Sequence, residues 1–342
     1  MRLTPWRGSA DPTRRPHLRR LGALTLALAT LLAVGSLAEQ GTVDARAATA
    51  DTRAAGAGGD HADHAYVLSP EQEAAARELR AAAPVRGSEF RADCTSKGRA
   101  LDDPIVRWGQ AGASHMHEFF GNRTTDAYST LQSLDNGTTT CNPSADLSAY
   151  WVPTLYQNGV AKAPEHVTVY YQGLTDRLNV KPHPRGLKIV VGNALATSPD
   201  QNPAARWSCR GYPQSSPDFL SCPAGSKLET YLDFPTCWDG KNLDSPDHKS
   251  HMAFGIGGVG GYCPASHPVP VPRLELLITY PVTGGGLSLG GTRNGVNVTN
   301  APGYTFHGDF FNAWNEAELK RRVDGCIVAG YICGNDGNPI QQ

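Results

Sequence analysis

From Gly87 onward the chain alternates between short runs of β-branched, aliphatic and aromatic residues and breaks made of Gly, Pro, Asn and Asp. Tyr150 to Tyr156, Val167 to Gln172, Leu187 to Val191, Lys227 to Asp233 and Leu274 to Tyr280 have the length and residue types of strands. Helical signals occur at two places. Ser69-Pro70-Glu71-Gln72 offers a capping residue, a proline at the first helical position and a glutamine placed for a capping box, which predicts a helix from Ser69 to about Ala82, before Pro84. Asn312 to Val323, after the Phe310-Phe311 pair, predicts a terminal helix. The expected fold is mostly β: a β-sandwich or jelly-roll-like single domain over 89–336, with long disulfide-braced loops, a short C-terminal helix and a 337–342 tail. Gly255 to Gly261 and Gly284 to Gly291 lack the lysine and the strand-loop-helix setting of a phosphate loop, so they are expected to be flexible surface turns.

The pattern changes at the N-terminus. Arg14, Arg15, Arg19 and Arg20 lead into an apolar run from Leu21 to Val34, followed by small residues shaped like cleavage sites. That run is shorter than the roughly 20 residues a membrane helix needs. Residues 1–50 are therefore expected to be a removed signal peptide and 51–88 a polar leader, giving a secreted protein with no membrane span after cleavage. All eight cysteines (Cys94, Cys141, Cys209, Cys222, Cys237, Cys263, Cys326 and Cys333) fall in the exported part, and an even number there reads as a disulfide framework. Cys209 with Cys222 and Cys326 with Cys333 are the local pairings to expect; spacing alone leaves the connectivity open. A formal net charge of −1 with scattered basic residues argues against nucleic acid or an anionic membrane as partner.

Three polar segments could carry chemistry. In His115-Met116-His117-Glu118 an extended backbone sends both imidazoles to one face, where they could share a metal or a substrate. The stretch Asp233 to His251 contains Asp233, Trp238, Asp239, Lys241, Asp244, Asp247, His248 and His251; it is either a solvated loop braced by Cys237 or one wall of a site. His307-Gly308-Asp309 sets a third imidazole beside a carboxylate. Tyr150, Trp151, Tyr171 and Trp238, with Lys241, are candidates for holding a sugar, although core packing explains most aromatic pairs in a sandwich. No Gly-x-Ser-x-Gly elbow or His-Glu-x-x-His helix is present.

Several motifs together carry a resemblance: Asp103-Pro104-Ile105-Val106, Ser114-His115-Met116-His117-Glu118-Phe119-Phe120-Gly121, Tyr150-Trp151-Val152-Pro153, Phe234-Pro235-Thr236-Cys237-Trp238-Asp239-Gly240, Ser245-Pro246-Asp247-His248-Lys249-Ser250-His251 and Phe306-His307-Gly308-Asp309-Phe310. In this order they resemble the domain of unknown function 1996 family of secreted fungal and actinobacterial proteins. The resemblance implies a polysaccharide context, since family members are sometimes joined to wall-associated or carbohydrate-binding modules, but no activity. The leading expectation is a carbohydrate-active protein that cleaves an extracellular or cell-wall polysaccharide without a cofactor. Its acid/base site would draw on His115, His117, Glu118, Asp233, Asp239, Asp244, Asp247, His248, His251, His307 and Asp309. The alternatives are a copper or zinc protein ligated by His115, His117, His251 and His307, and a non-catalytic glycan-binding module.

Overall fold

The structure, a computed structural model, describes residues 87–258 and 260–340; the expected signal peptide and the 69–82 helix lie outside the described residues. Four antiparallel sheets form the domain. The largest has seven strands, in the order Ser215–Ser216, Arg206–Cys209, Leu228–Asp233, Arg273–Tyr280, His166–Gln172, Glu89–Cys94 and Cys141–Asn142. Strict alternation orients it: in Glu89–Cys94 the side chains of Phe90, Ala92 and Cys94 are buried, and those of Glu89, Arg91 and Asp93 face outward.

A five-stranded sheet packs against that apolar face, in the order Ser96–Ala100, His117–Gly121, Ala149–Pro153, His307–Phe311 and Lys188–Gly192. Phe120, Tyr150, Val152, Ile189 and Phe310 from this sheet join Phe90, Val169, Tyr171, Leu232, Leu276 and Ile278 of the larger one in a single core. The expected sandwich is thus present. Its three central smaller-sheet strands are buried at every position. The second face of the smaller sheet carries Phe119, Trp151 and Phe311 and is covered by Ile105, Leu134 and Ala313.

That double coverage corrects the expected sugar-stacking surface. Tyr150, Trp151 and Tyr171 have no exposed surface. The hydroxyls of Tyr150 and Tyr171 bond to each other across the sandwich, and Trp314 Nε1 donates to Tyr171. These rings are core: both tyrosine hydroxyls are satisfied internally, while the buried Trp151 Nε1 has no hydrogen-bond partner among the described residues.

All eight cysteines pair, as Cys94–Cys141, Cys209–Cys222, Cys237–Cys263 and Cys326–Cys333, so both expected local bridges are present. The terminal helix starts later than expected and continues past Val323 as a π-helical segment, Val323–Val328. Its α-helical part is Glu316–Arg322, capped by the Asn315 side chain accepting from Glu318 N. Asn312 lies outside the helix, with its side-chain amide donating to the carbonyls of His183 and Pro184.

The Gly284 to Gly291 segment also departs from expectation. Its second half belongs to the strand Leu287–Arg293, which pairs with Val296–Ala301 as a hairpin and with Leu155–Gln157. Close approach explains the glycines: a Cβ at Gly291 would lie 2.7 Å from Ala301 Cβ, and one at Gly290 would lie 2.8 Å from the Met116 carbonyl oxygen.

Candidate metal centre

The outer face of the five-stranded sheet is apolar along most of its length and changes character at one end. His117 pairs with Pro153, Asp309 with Trp151, and His307 with Gly192. Counting on by two places His307 level with Pro153, so His117 and His307 flank the same proline from the two neighbouring strands. Asp309 stands one row further in, on the same face as His307. Gly192 adopts φ +89°, and a Cβ there would lie 2.6 Å from the Phe306 carbonyl and 2.8 Å from His307 Cα, so only glycine lets these strands meet at this point.

His115 precedes the strand His117–Gly121, yet its imidazole reaches the same place as that of His117, as the extended reading required. The ring centroids of His115 and His117 are 4.2 Å apart, those of His115 and His307 5.0 Å, and those of His117 and His307 5.8 Å. One nitrogen from each ring lies within 4.8 Å of the others. His115 Nε2 and His307 Nε2 are 3.1 Å apart, and His117 Nε2 has no hydrogen-bond partner among the described residues.

The outward nitrogens settle the tautomers of two rings. His117 Nδ1 donates to the Asp102 carbonyl and His307 Nδ1 to the Thr305 carbonyl, each at 2.9 Å, since a carbonyl oxygen can only accept. Both Nε2 atoms therefore present lone pairs to the centre of the cluster. Since His307 Nε2 carries no hydrogen, His115 Nε2 is the donor in their 3.1 Å contact; Thr292 Oγ1, whose own hydrogen goes to Asn297, lies 3.4 Å from His115 Nδ1. Burial, the largest cause, holds the pKa of His117 and of His307 down to about 4. Burial followed by the proximity of His117 and His307 depresses His115 further. The cluster is neutral at neutral pH.

Asp309 adds a second anomaly. It is 1% exposed, and neither carboxylate oxygen has a hydrogen-bond partner among the described residues. Burial, then the neighbouring Asp103, push its pKa well up against the pull of Lys249. Asp103 is itself buried and accepts from the Ile105 and Val106 amides. A cleft of about 570 Å³ opens over this floor, with His115, His307, Asp309, Asp103, His248 and Lys249 among its walls.

The remaining candidates go elsewhere. Glu118 points to the opposite face of its strand from His117 and is ion-paired with Arg99. Asp233 sits on the outward face of the seven-stranded sheet, 2.7 Å from Arg206 and opposite Glu275. Asp239 accepts from the Lys241 and Asn242 amides, and Asp244 from the Ser245 amide and from His248 Nδ1, so both brace their own loop. Asp247 borders the cleft but is occupied by Ser245, Lys249 and Ser250. His251 stands apart from the cluster: its Nε2 donates to the Lys188 carbonyl and its Nδ1 lies 2.8 Å from Ser245 Oγ, so both nitrogens are in contact with its own surroundings. Trp238 is half-buried against the core with Nε1 donating to Asn242, and Lys241 is exposed away from the cleft. Among the charged cleft residues, Asp103, Arg107 and Lys249 were not singled out by residue chemistry alone, although Asp103 and Lys249 stand inside motifs quoted above. Cys94 and Cys141, which approach Asp146, are bridged to each other and cannot ligate.

A family model described as "Domain of unknown function (DUF1996)" matches residues 103–314, a span that contains all three histidines, Asp103 and Asp309. No curated protein and no solved structure matches the chain.

Proposed function

We propose, for a chain that belongs to the domain of unknown function 1996 family, an extracellular carbohydrate-active function centred on a zinc or copper ion held by His115, His117 and His307. The observation that supports it is the convergence of three buried imidazoles on one point, with the outward nitrogens of His117 and His307 fixed by backbone carbonyls. Such outer contacts are how proteins orient imidazole ligands. Without a cation the inward lone pair of His117 is desolvated and unpaired, which costs free energy; a divalent ion removes that cost. An all-imidazole set without thiolate suits zinc or copper, and three protein ligands leave a coordination position for water or substrate. Bound there, the ion would supply Lewis-acid or redox chemistry. The chain's own contribution is to keep the imidazoles neutral, exclude water from the sheet face and set Asp309 one row from His307. Secretion and a polysaccharide substrate belong to the same proposal. Four disulfides suit an oxidising compartment, and among the described residues no helix is long and apolar enough to cross a membrane.

Elemental analysis of the untagged protein, purified from an oxidising compartment, tests this directly. About one equivalent of zinc or copper is expected, lost in the His117→Ala/His307→Ala double variant while all four disulfides form. Folded wild-type protein that stays metal-free after incubation with both ions and dialysis would overturn it. One observation favours a second reading, a metal-free acid/base site: the bare Asp309 carboxylate shares the cleft with Asp103 and the imidazoles. Polysaccharide cleavage that survives complete chelation is the outcome that would select it.

A further inference from the structure

The cleft over the histidines does not end with them. It shares Ala194, Leu195 and Thr292 with a second cleft of about 400 Å³, so the two form one trough. The hairpin of Leu287–Arg293 and Val296–Ala301 contributes one wall of both, and the loop after Gly192 the other. Each part alone is the size of a small-molecule pocket. Joined, they suit a chain that passes the histidine cluster and continues.

The walls carry a bias in charge. Arg107 and Lys249 line the first part and Arg293 the second, and all three side chains are exposed. Lys249 Nζ spends one hydrogen on the Gly192 carbonyl and keeps two. Of the facing acids, Asp103 and Asp309 are buried in the floor, and Asp247, the one exposed carboxylate, has its Oδ1 held by Ser245, Lys249 and Ser250 of its own loop, so the exposed charges are mostly basic. Stacking platforms are nearly absent, since Tyr304 is the one tyrosine, tryptophan or phenylalanine lining either part. A neutral glycan would require ring platforms that this trough does not offer.

We infer that the trough binds an extended polyanionic glycan, with anionic groups of the chain meeting Arg107 and Lys249 on one side of the histidine cluster and Arg293 on the other. The inference rests on the proposed carbohydrate-active reading and specifies its substrate class. Carboxylate and phosphodiester groups satisfy the same contacts, so two probes separate them: oligogalacturonate and a poly(glycerol phosphate) chain, with a cello-oligosaccharide as neutral control.

Titration calorimetry on the full protein, repeated at rising salt, is the test. One of the two polyanions should bind, more weakly as salt increases, and the triple variant Arg107→Gln/Lys249→Gln/Arg293→Gln should lose about tenfold or more in affinity while keeping its disulfides. The neutral oligomer should not compete. Equal or tighter binding of the neutral chain, no binding of either polyanion, or an unaffected triple variant would each overturn the inference. Measuring metal content on the same samples keeps the two proposals apart. Metal without polyanion binding removes this inference alone, whereas charge-dependent binding by protein that never takes up metal removes the metal centre alone.

Discussion

At the scale of single residues, His183 is the useful contrast to the clustered imidazoles. It is as buried as they are, but it sits between the rings of Tyr171 and Phe310, with no second histidine beside it. Burial holds its pKa down to about 3 against the pull of the Pro272 carbonyl. In the unfolded chain the same group titrates near 6.5, so between those values the unfolded state binds the extra proton. The associated stability is complete above about pH 6.5 and is lost as pH falls toward 3, at about 1.4 kcal/mol per unit. Replacing His183→Phe should therefore flatten the acid side of the stability curve by one proton. Urea unfolding at pH 7 and pH 4.5 checks this; an unchanged difference between the two pH values would show that His183 does not titrate as its surroundings require.

At the scale of elements, the position of His115 is set by a strand that contains none of the three histidines. Gly290 N donates to the Thr154 carbonyl, and Thr154 N donates to the Met116 carbonyl, which lies directly over Gly290. A methyl group at Gly290 must push Met116 aside and take His115 with it. Gly290→Ala is expected to weaken zinc or copper binding about tenfold with an unaltered far-ultraviolet spectrum, and a metal titration that matches wild type would refute it. This arrangement also marks what could be read from sequence. The shared face of His115 and His117 is a local consequence of alternation, as is the pairing of His307 with Asp309, and these were legible. Their meeting depends on both strands flanking Ala149–Pro153, a pairing between segments 192 positions apart that no local pattern encodes. Tyr150, Trp151 and Tyr171 misled because a strand covered on both faces has the composition of a sugar platform. The carboxylates of 239–247 misled because aspartates that satisfy their own loop amides look, in sequence, like those that do chemistry.

At the scale of the molecule, the disulfides differ in how much of the unfolded chain they constrain. Cys94–Cys141 spans 47 residues, and Cys326–Cys333 spans 7. Loop-closure entropy assigns them about 4 and about 2.5 kcal/mol. Denaturant unfolding of the two Cys→Ala pair variants should preserve that order, and a larger loss from the shorter bridge would contradict it.

The distance between His117 and His307 along the chain has a bearing on where the ion would come from. Until the strand His307–Phe311 is laid beside Ala149–Pro153, the polypeptide owns only a two-histidine fragment of the centre, too poor a ligand to compete for metal. Capture would then have to await that long-range pairing. Affinity alone ranks copper above zinc for nearly any such donor set, so the metal a protein carries is decided largely by what surrounds it when the site closes. The compartment in which this strand docks, rather than the three side chains, would choose the element.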